Sequence, residues 1–143
     1  MVRCSFCERD AIVRLAYANL RLCPEHFNKY YENRIKKIIE KHKISGRILV
    51  AVSGGKDSMS LLNALNNISS DIGLEIYAFH INLGIDNYSD ICEKTVKEFS
   101  KKISVPLIIF DLKSDIGYTI PEILRKVRRP ACAVCGIVKR WVM

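Results

Sequence analysis

The chain has 143 residues, about one domain's worth, with 49% hydrophobic and 27% charged residues. Those values argue against disorder, collagen-like repeats and coiled coil. The longest apolar run, residues 105–110, is six residues long, against the roughly 18 that a membrane helix needs. The start MVRCSFCERD lacks the apolar stretch and small-residue cleavage site of a signal peptide. An intracellular, cytoplasmic protein with no membrane part is expected. The net charge of +8 is unevenly spread. Residues 1–45 carry ten Lys/Arg against five Asp/Glu, residues 46–112 six against eight, and residues 113–143 seven against two. Basic ends around a slightly acidic middle suit a polyanion gripped at the periphery, although solvated basic helix faces would give the same counts.

Six cysteines inside a cell do not read as disulfides. Their spacing points to two separate metal or redox sites: Cys4-x2-Cys7 with Cys23-x2-His26, and Cys132-x2-Cys135, with Cys92 standing alone. Residues 1–28 form a small module in which residues 11–22 suit a hairpin turning near Ala18-Asn19. Such a module is too short for its own core and needs a metal to fold. Cys4, Cys7, Cys23 and His26 bring three sulfurs and one nitrogen, the donor set of a tetrahedral zinc site. With four protein ligands it is closed and structural.

Residues 29–46 are a linking helix. The helical pattern begins at Pro24, with Phe27, Tyr30/Tyr31, Ile35, Ile38/Ile39 and His42 at three- and four-residue steps, and Ser45-Gly46 ends it. Residues 47–143 alternate in period. Residues 48–52 read as a strand buried on both faces. A helix follows with Met59, Leu61, Leu62, Leu65 and Ile68 inward, then a strand over 75–81. A helix over 88–103 should bury Tyr88, Ile91, Cys92, Val96, Phe99 and Ile103, and a third strand spans 106–112. This is an α/β, doubly wound parallel-sheet pattern. Thr119-x-x-Glu122 forms a capping box with Pro121 in the first turn of another helix. Gly136 offers a turn into a final one.

Ser53-Gly-Gly-Lys-Asp-Ser58 lies where the first strand of this region hands over to its helix. Gly54 and Gly55 let the backbone N–H groups face a ligand, and the helix N-terminus adds positive partial charge: a phosphate cradle. Lys56 brings a mobile charge, Ser53 and Ser58 hydroxyls, and Asp57 a carboxylate suited to Mg²⁺. It is neither a Walker A loop, since position 50 is Val, nor a G-x-G-x-x-G loop. Around Cys132 and Cys135 stand Arg125, Lys126, Arg128, Arg129, Lys139 and Arg140, an electropositive setting that suits thiolate chemistry.

The segment from Val50 to Ser58 resembles the PP-loop of the ATP-pyrophosphatases, which split ATP between its α and β phosphates and adenylate a substrate. Together with the N-terminal Cys/His module, His80-Ile-Asn-Leu-Gly-Ile85 and the stretch 129–140, the chain is similar to tRNA 2-thiolation enzymes of the TtuA/TtcA type. The resemblance implies a PP-loop domain over 47–143, incomplete here, and ATP and Mg²⁺ at Ser53, Gly54, Gly55, Lys56, Asp57 and Ser58. Ala51, His80 and Ile81 would lie around adenine and ribose. It implies Cys132 and Cys135 as two ligands of a 4Fe–4S cluster or as a catalytic thiol pair, with the third cysteine further downstream and the ligand set incomplete. Lys139 would stand beside the reacting base. The implied partners are tRNA and a sulfur donor (sulfide or a sulfur-carrier protein). By their charge Arg125, Lys126, Arg128, Arg129 and Arg140 suit the tRNA backbone, and the open edge of a three-stranded sheet invites a second copy of the chain. Family members are about twice as long, so a stop inside an expected helix reads as a fragment or truncated gene. Two other readings stay open: another PP-loop adenylating enzyme without a cluster, and a zinc-stabilised nucleic-acid-binding module. Cys92 reads as core.

Overall fold

The structure, a computed structural model, describes residues 2–143, which form two compact units: residues 2–46 with 64–74, and residues 47–63 with 75–143. Among the described residues no helix is long and apolar enough to cross a membrane.

In the first unit a bridge between Arg3 and Asp10 closes the Cys4–Cys7 knuckle. Strands β1 (Val13–Leu15) and β2 (Leu20–Leu22) pair antiparallel through a 3-10 turn, with Asn19 left-handed at φ 49°. This is the expected hairpin. Side chains alternate across a strand. Val13, Leu15, Leu20 and Leu22 therefore pack around buried Cys4 and Cys23, while Arg14 and Arg21 sit opposite each other and outward. Helix α1 (Pro24–Lys41) buries Ile35 and Ile39 and brings Phe27 and Tyr30 to the Cys4/Cys23 cluster. Ile38, one position off that stripe, stays exposed.

The second unit contains a three-stranded sheet of β3 (Gly46–Ala51), β4 (Leu74–Asn82) and β5 (Leu107–Asp111), in the order β3-β4-β5. Strands β4 and β5 run parallel with His80 opposite Ile109, and the Val52 N–H donates to the Phe79 carbonyl at 2.8 Å. Helices α2 (Lys56–Ile72) and α3 (Asp86–Lys102) make the crossovers, so the α/β class and parallel sheet stand as expected. Three local expectations fail. Strand β3 is an edge and buries only Val50, with Leu49 55% exposed, so its apolar run is not a strand covered on both faces. Helix α3 buries Val96 as expected, but it also turns Ser89 and Ser100 inward and leaves Tyr88 and Ile91 exposed. The third strand stops at Asp111. Its carboxylate accepts from the Ser114 N–H and caps a short helix α4 (Leu112–Ile116), burying Leu112 completely.

Helix α5 (Ile120–Lys126) starts from the expected Thr119/Glu122 capping box. Helix α6 (Ala131–Val142) runs through Gly136 without a turn, so Cys132 and Cys135 lie within the helix rather than before it. A second core of Leu83, Leu112, Ile120 and Val134 holds α4, α5 and α6 together.

Candidate metal and nucleotide sites

The metal-ligand spacing read from the sequence converges in three dimensions. The ligand atoms of Cys4, Cys7, Cys23 and His26 all lie within 4.8 Å of one another. His26 Nδ1 stands 3.6, 3.5 and 3.3 Å from the sulfurs of Cys4, Cys7 and Cys23, and the Cys7 and Cys23 sulfurs are 3.8 Å apart. Four edges of 3.3–3.8 Å, with all ligand atoms within 4.8 Å of one another, make a compact four-ligand cluster. Burial pushes the Cys4 thiol up, but hydrogen bonds from the Phe6 and Cys23 backbone and from the Cys23 and Cys7 side chains outweigh it and bring Cys4 to about 6. Cys4 is thereby biased towards the thiolate, the form that binds metal. The Phe6 ring tilts over His26 at 5.5 Å. Arg9 pairs with Glu25, whose carboxyl is held at about 2 by that guanidinium and by Lys29.

The second site forms at the carboxyl ends of β3 and β4. Here a crevice of about 190 Å³ is lined by Ala51, Ser53, Ser58, His80, Ile81 and Lys139, among others. Gly54 takes a left-handed φ of +86°, which turns the chain from β3 into α2. The Ser58 hydroxyl donates to the Gly55 carbonyl at 3.0 Å and lies 3.3 Å from Ser53 Oγ, tying the loop's two ends together. The first-turn N–H groups of α2 have no intrahelical acceptor and face outward. Lys56 and Asp57 pair at 2.9 Å with side chains 88% and 91% exposed, a charge pair with no packing role. A helix N-terminus of this kind favours an oxyanion. Gly54, Gly55, Lys56 and Asp57, expected at the phosphate site, are not among the residues that line the crevice.

His80 is 3% exposed, and its Nδ1 lies 2.8 Å from the Val52 carbonyl, to which the N–H on that nitrogen donates. The other nitrogen, Nε2, is buried without a hydrogen-bond partner among the described residues.

Residues that sequence reasoning did not single out shape the crevice as well. Buried Asn82 donates to Glu93 at 2.6 Å and accepts from the Gly84 N–H, and Ser89 Oγ accepts from the Ile85 N–H. Tyr88, Ser89 and Cys92 from α3 join the wall. Cys92 is therefore part of the crevice and not plain core. The burial of Asn82 and Ser89 follows from tertiary packing, and the sequence carries no signal for it.

Cys132 is exposed and Cys135 half-buried, one turn apart on α6 and so on the same side of it. Lys139, one further turn along, reaches the crevice. No third cysteine, histidine or carboxylate joins the pair in a group of metal-ligating atoms among the described residues. Arg125, Arg128, Arg129 and Arg140 are exposed with no acidic partner among the described residues, while the Lys126 ammonium lies 4.1 Å over the Tyr118 ring.

Comparison with known proteins finds two family matches. Residues 27–133 match the family described as "PP-loop domain", and residues 3–28 match "2-thiouridine synthetase TtuA, N-terminal LIM domain". Similar proteins include the tRNA-5-methyluridine(54) 2-sulfurtransferases of Pyrococcus horikoshii, 42% identical over 99% of this chain and 45% of the relative, and of Thermotoga maritima, 37% identical over 99% and 47%. The chain thus spans about half the length of these relatives. Among solved structures, the U34-tRNA thiolase NcsA from Methanococcus maripaludis, determined with its 4Fe-4S cluster, superposes with a TM-score of 0.80 at 23% identity, over 99% of this chain and 48% of that one.

Proposed function

Because the chain belongs to the PP-loop domain family, we propose that it carries the ATP site of a tRNA 2-thiolation enzyme. One observation carries the reading: the phosphate loop residues Ser53 and Ser58 share a single crevice with Lys139, one turn beyond Cys135. The names of the similar proteins, all tRNA 2-thiolation enzymes, supply the substrate class.

In this reading ATP binds with its β and γ phosphates on Ser53–Ser58 and its adenosine between Ala51, His80 and Ile81. Lys56 and the N–H groups of the first turn of α2 stabilise the charge that collects on the departing pyrophosphate. Asp57 would hold Mg²⁺, which supplies further neutralisation of the phosphates when bound. The C2 oxygen of a tRNA uridine or cytidine attacks the α phosphorus, and the bond to pyrophosphate breaks. A sulfur nucleophile then attacks C2, and AMP leaves with the former base oxygen. Lys139 positions the base and offers positive charge to the oxygen that leaves with AMP. Arg125, Lys126, Arg128, Arg129 and Arg140 hold the tRNA backbone, and Arg14 and Arg21 extend the basic surface of the first unit. The sulfur comes from sulfide or a sulfur-carrier protein.

Residues 1–28 act as a zinc module, 29–46 as a linking helix and 47–143 as the ATP-binding domain. A zinc ion with Zn–S of about 2.3 Å and Zn–N of about 2.0–2.1 Å in tetrahedral geometry requires S···S edges of about 3.8 Å and S···N edges of about 3.6 Å. The observed 3.8 Å and 3.3–3.6 Å fit it. Cys132 and Cys135 fit as two ligands of a 4Fe–4S cluster, which would hold the sulfur to be transferred, but such a cluster takes more than two protein ligands. A second copy of the chain is a further partner in this proposal.

Calorimetry with Mg-ATP, followed by mass spectrometry of tRNA nucleosides after incubation with ATP and sulfide, tests the reading. Micromolar ATP binding and a 2-thio nucleoside formed by the full-length protein are expected. An absence of ATP binding would overturn it.

A further inference from the structure

The turn after β4 is pinned by side chains of α3. Asn82, 6% exposed, donates through Nδ2 to Glu93 Oε2 at 2.6 Å, and its Oδ1 accepts the Gly84 N–H at 2.9 Å. The next N–H, that of Ile85, goes to Ser89 Oγ, also at 2.9 Å. Glu93 and Ser89 both belong to α3, so this helix sets the path of residues 82–85. That path seats the helices beyond the sheet. The Leu83 carbonyl accepts the Ile120 N–H at 3.0 Å, a first-turn donor of α5 with no acceptor in its own helix. Gly84 has φ +65°, and a Cβ there would stand 2.3 Å from Thr119 Cγ2, so the capping residue of α5 lies directly against it. Leu83 also packs with Leu112, Ile120 and Val134, one residue from each of α4, α5 and α6. Lys139, on the same helix as Val134, reaches the crevice that Leu83 lines. Contacts thus run without a break from Glu93 through Asn82, Leu83 and Ile120 to the helix that carries Cys132, Cys135 and Lys139. Asn82 and Glu93 themselves are not among the residues that line the crevice.

We propose that Asn82 and Glu93 are a positioning pair: by fixing the turn 82–85 they set where α6 presents Lys139 to the crevice, and they act on the reaction without touching a substrate. The inference deepens the function proposed above and rests on it. A buried carboxamide beside a carboxylate is held firmly only while both are paired, since a lost partner leaves a polar group unsatisfied out of reach of water. Strands β4 and β5 keep their own backbone ladder, so a break in the pair is felt where the turn meets α5 and not across the sheet.

The test compares the full-length wild type with Asn82→Asp, Glu93→Ala and the double variant Asn82→Asp/Glu93→Gln. In Asn82→Asp a second carboxylate faces that of Glu93 with no proton between them. In the double variant a carboxamide at position 93 donates to it, restoring the hydrogen bond in the reverse direction. Hydrogen exchange is read peptide by peptide by mass spectrometry, with Mg-ATP calorimetry and thiolation kinetics on the same samples. In both single variants, exchange over residues 112–142 should rise, and kcat for thiolation should fall, at least about tenfold, with β4, α2 and ATP affinity unchanged. The double variant should recover both. Glu93→Ala, at a side chain 19% exposed, carries the test if Asn82→Asp does not fold. Exchange that rises equally along the whole chain, exchange unchanged over residues 112–142, an undiminished kcat, or a double variant as impaired as Asn82→Asp would each overturn the inference. If exchange responds as expected but the wild type neither binds Mg-ATP nor forms a 2-thio nucleoside, it is the function proposed above that fails.

Discussion

Gly54 and Cys92 approach closely where the phosphate loop meets helix α3: Gly54 has φ +86°, and a Cβ there would stand 3.1–3.2 Å from the Cys92 backbone, tighter than ordinary van der Waals contact. Gly55, next in the loop, meets nothing closer than Ser53 Oγ at 3.5 Å and has an ordinary backbone. The two glycines therefore do different things. Gly54 permits the turn and the close packing, and Gly55 leaves the approach to the N–H groups clear.

Gly54→Ala should weaken Mg-ATP binding more than Gly55→Ala. A left-handed conformation costs a residue with a Cβ roughly 1–2 kcal/mol, and the contact with α3 adds to it. A loss of about tenfold in affinity is expected for Gly54→Ala by calorimetry. Equal effects of the two substitutions would show that the contact with Cys92 does not shape the loop.

Lys56→Ala should abolish Mg-ATP binding without moving the thermal midpoint, since its side chain is 88% exposed and pairs only with the equally exposed Asp57. Calorimetry and a thermal melt on the same sample separate the two effects. A lowered midpoint would mean that Lys56 supports the fold as well as the ligand.

Cys23→Ser should release one zinc per chain and melt the first-unit hairpin while ATP binding persists, because Cys23 is fully buried among the other three ligands. Metal analysis after gel filtration gives the stoichiometry. Zinc retained at one per chain would refute the ligand assignment.

The Lys113 ammonium and the Thr119 backbone N–H hold the Glu122 carboxyl at about 2, below its ordinary 4.5. A depressed folded-state value adds stability above about 4.5 and loses it as the pH falls towards about 2. The gap in urea midpoint between the wild type and Glu122→Gln should therefore be widest near neutrality and close across that window. A gap independent of pH would show that the ion pair with Lys113 does not contribute.

Charge reversal at Arg125, Arg128 and Arg129 should weaken tRNA binding and flatten its dependence on salt. Each phosphate contact contributes about 0.7–0.9 to the log–log slope, so three lost contacts reduce it by about 2–3. Filter binding across a salt series measures this. An unchanged slope would move the RNA surface elsewhere.

What could be read from the sequence rests on local chemistry. Cys4, Cys7, Cys23 and His26 declared themselves because a chelating knuckle needs fixed short spacing. Ser53–Ser58 did so because a tight turn between strand and helix demands glycine. The Thr119/Glu122 cap is likewise a contact between near neighbours in the chain. Tertiary structure alone decided what depends on which strand lies at an edge and which helix face meets the sheet. Leu49 is apolar yet exposed because it stands on the opposite face of β3 from buried Val50, a face that nothing covers among the described residues. Tyr88 and Ile91 yielded the inner face of α3 to Ser89, while Val96 stayed inward as expected: a shift of about one residue at the start of the buried stripe costs little in local propensity and is fixed by tertiary packing. Cys92 and Lys139 are 47 positions apart in the chain and share one crevice, a proximity that exists only once the α3 and α6 helices have docked.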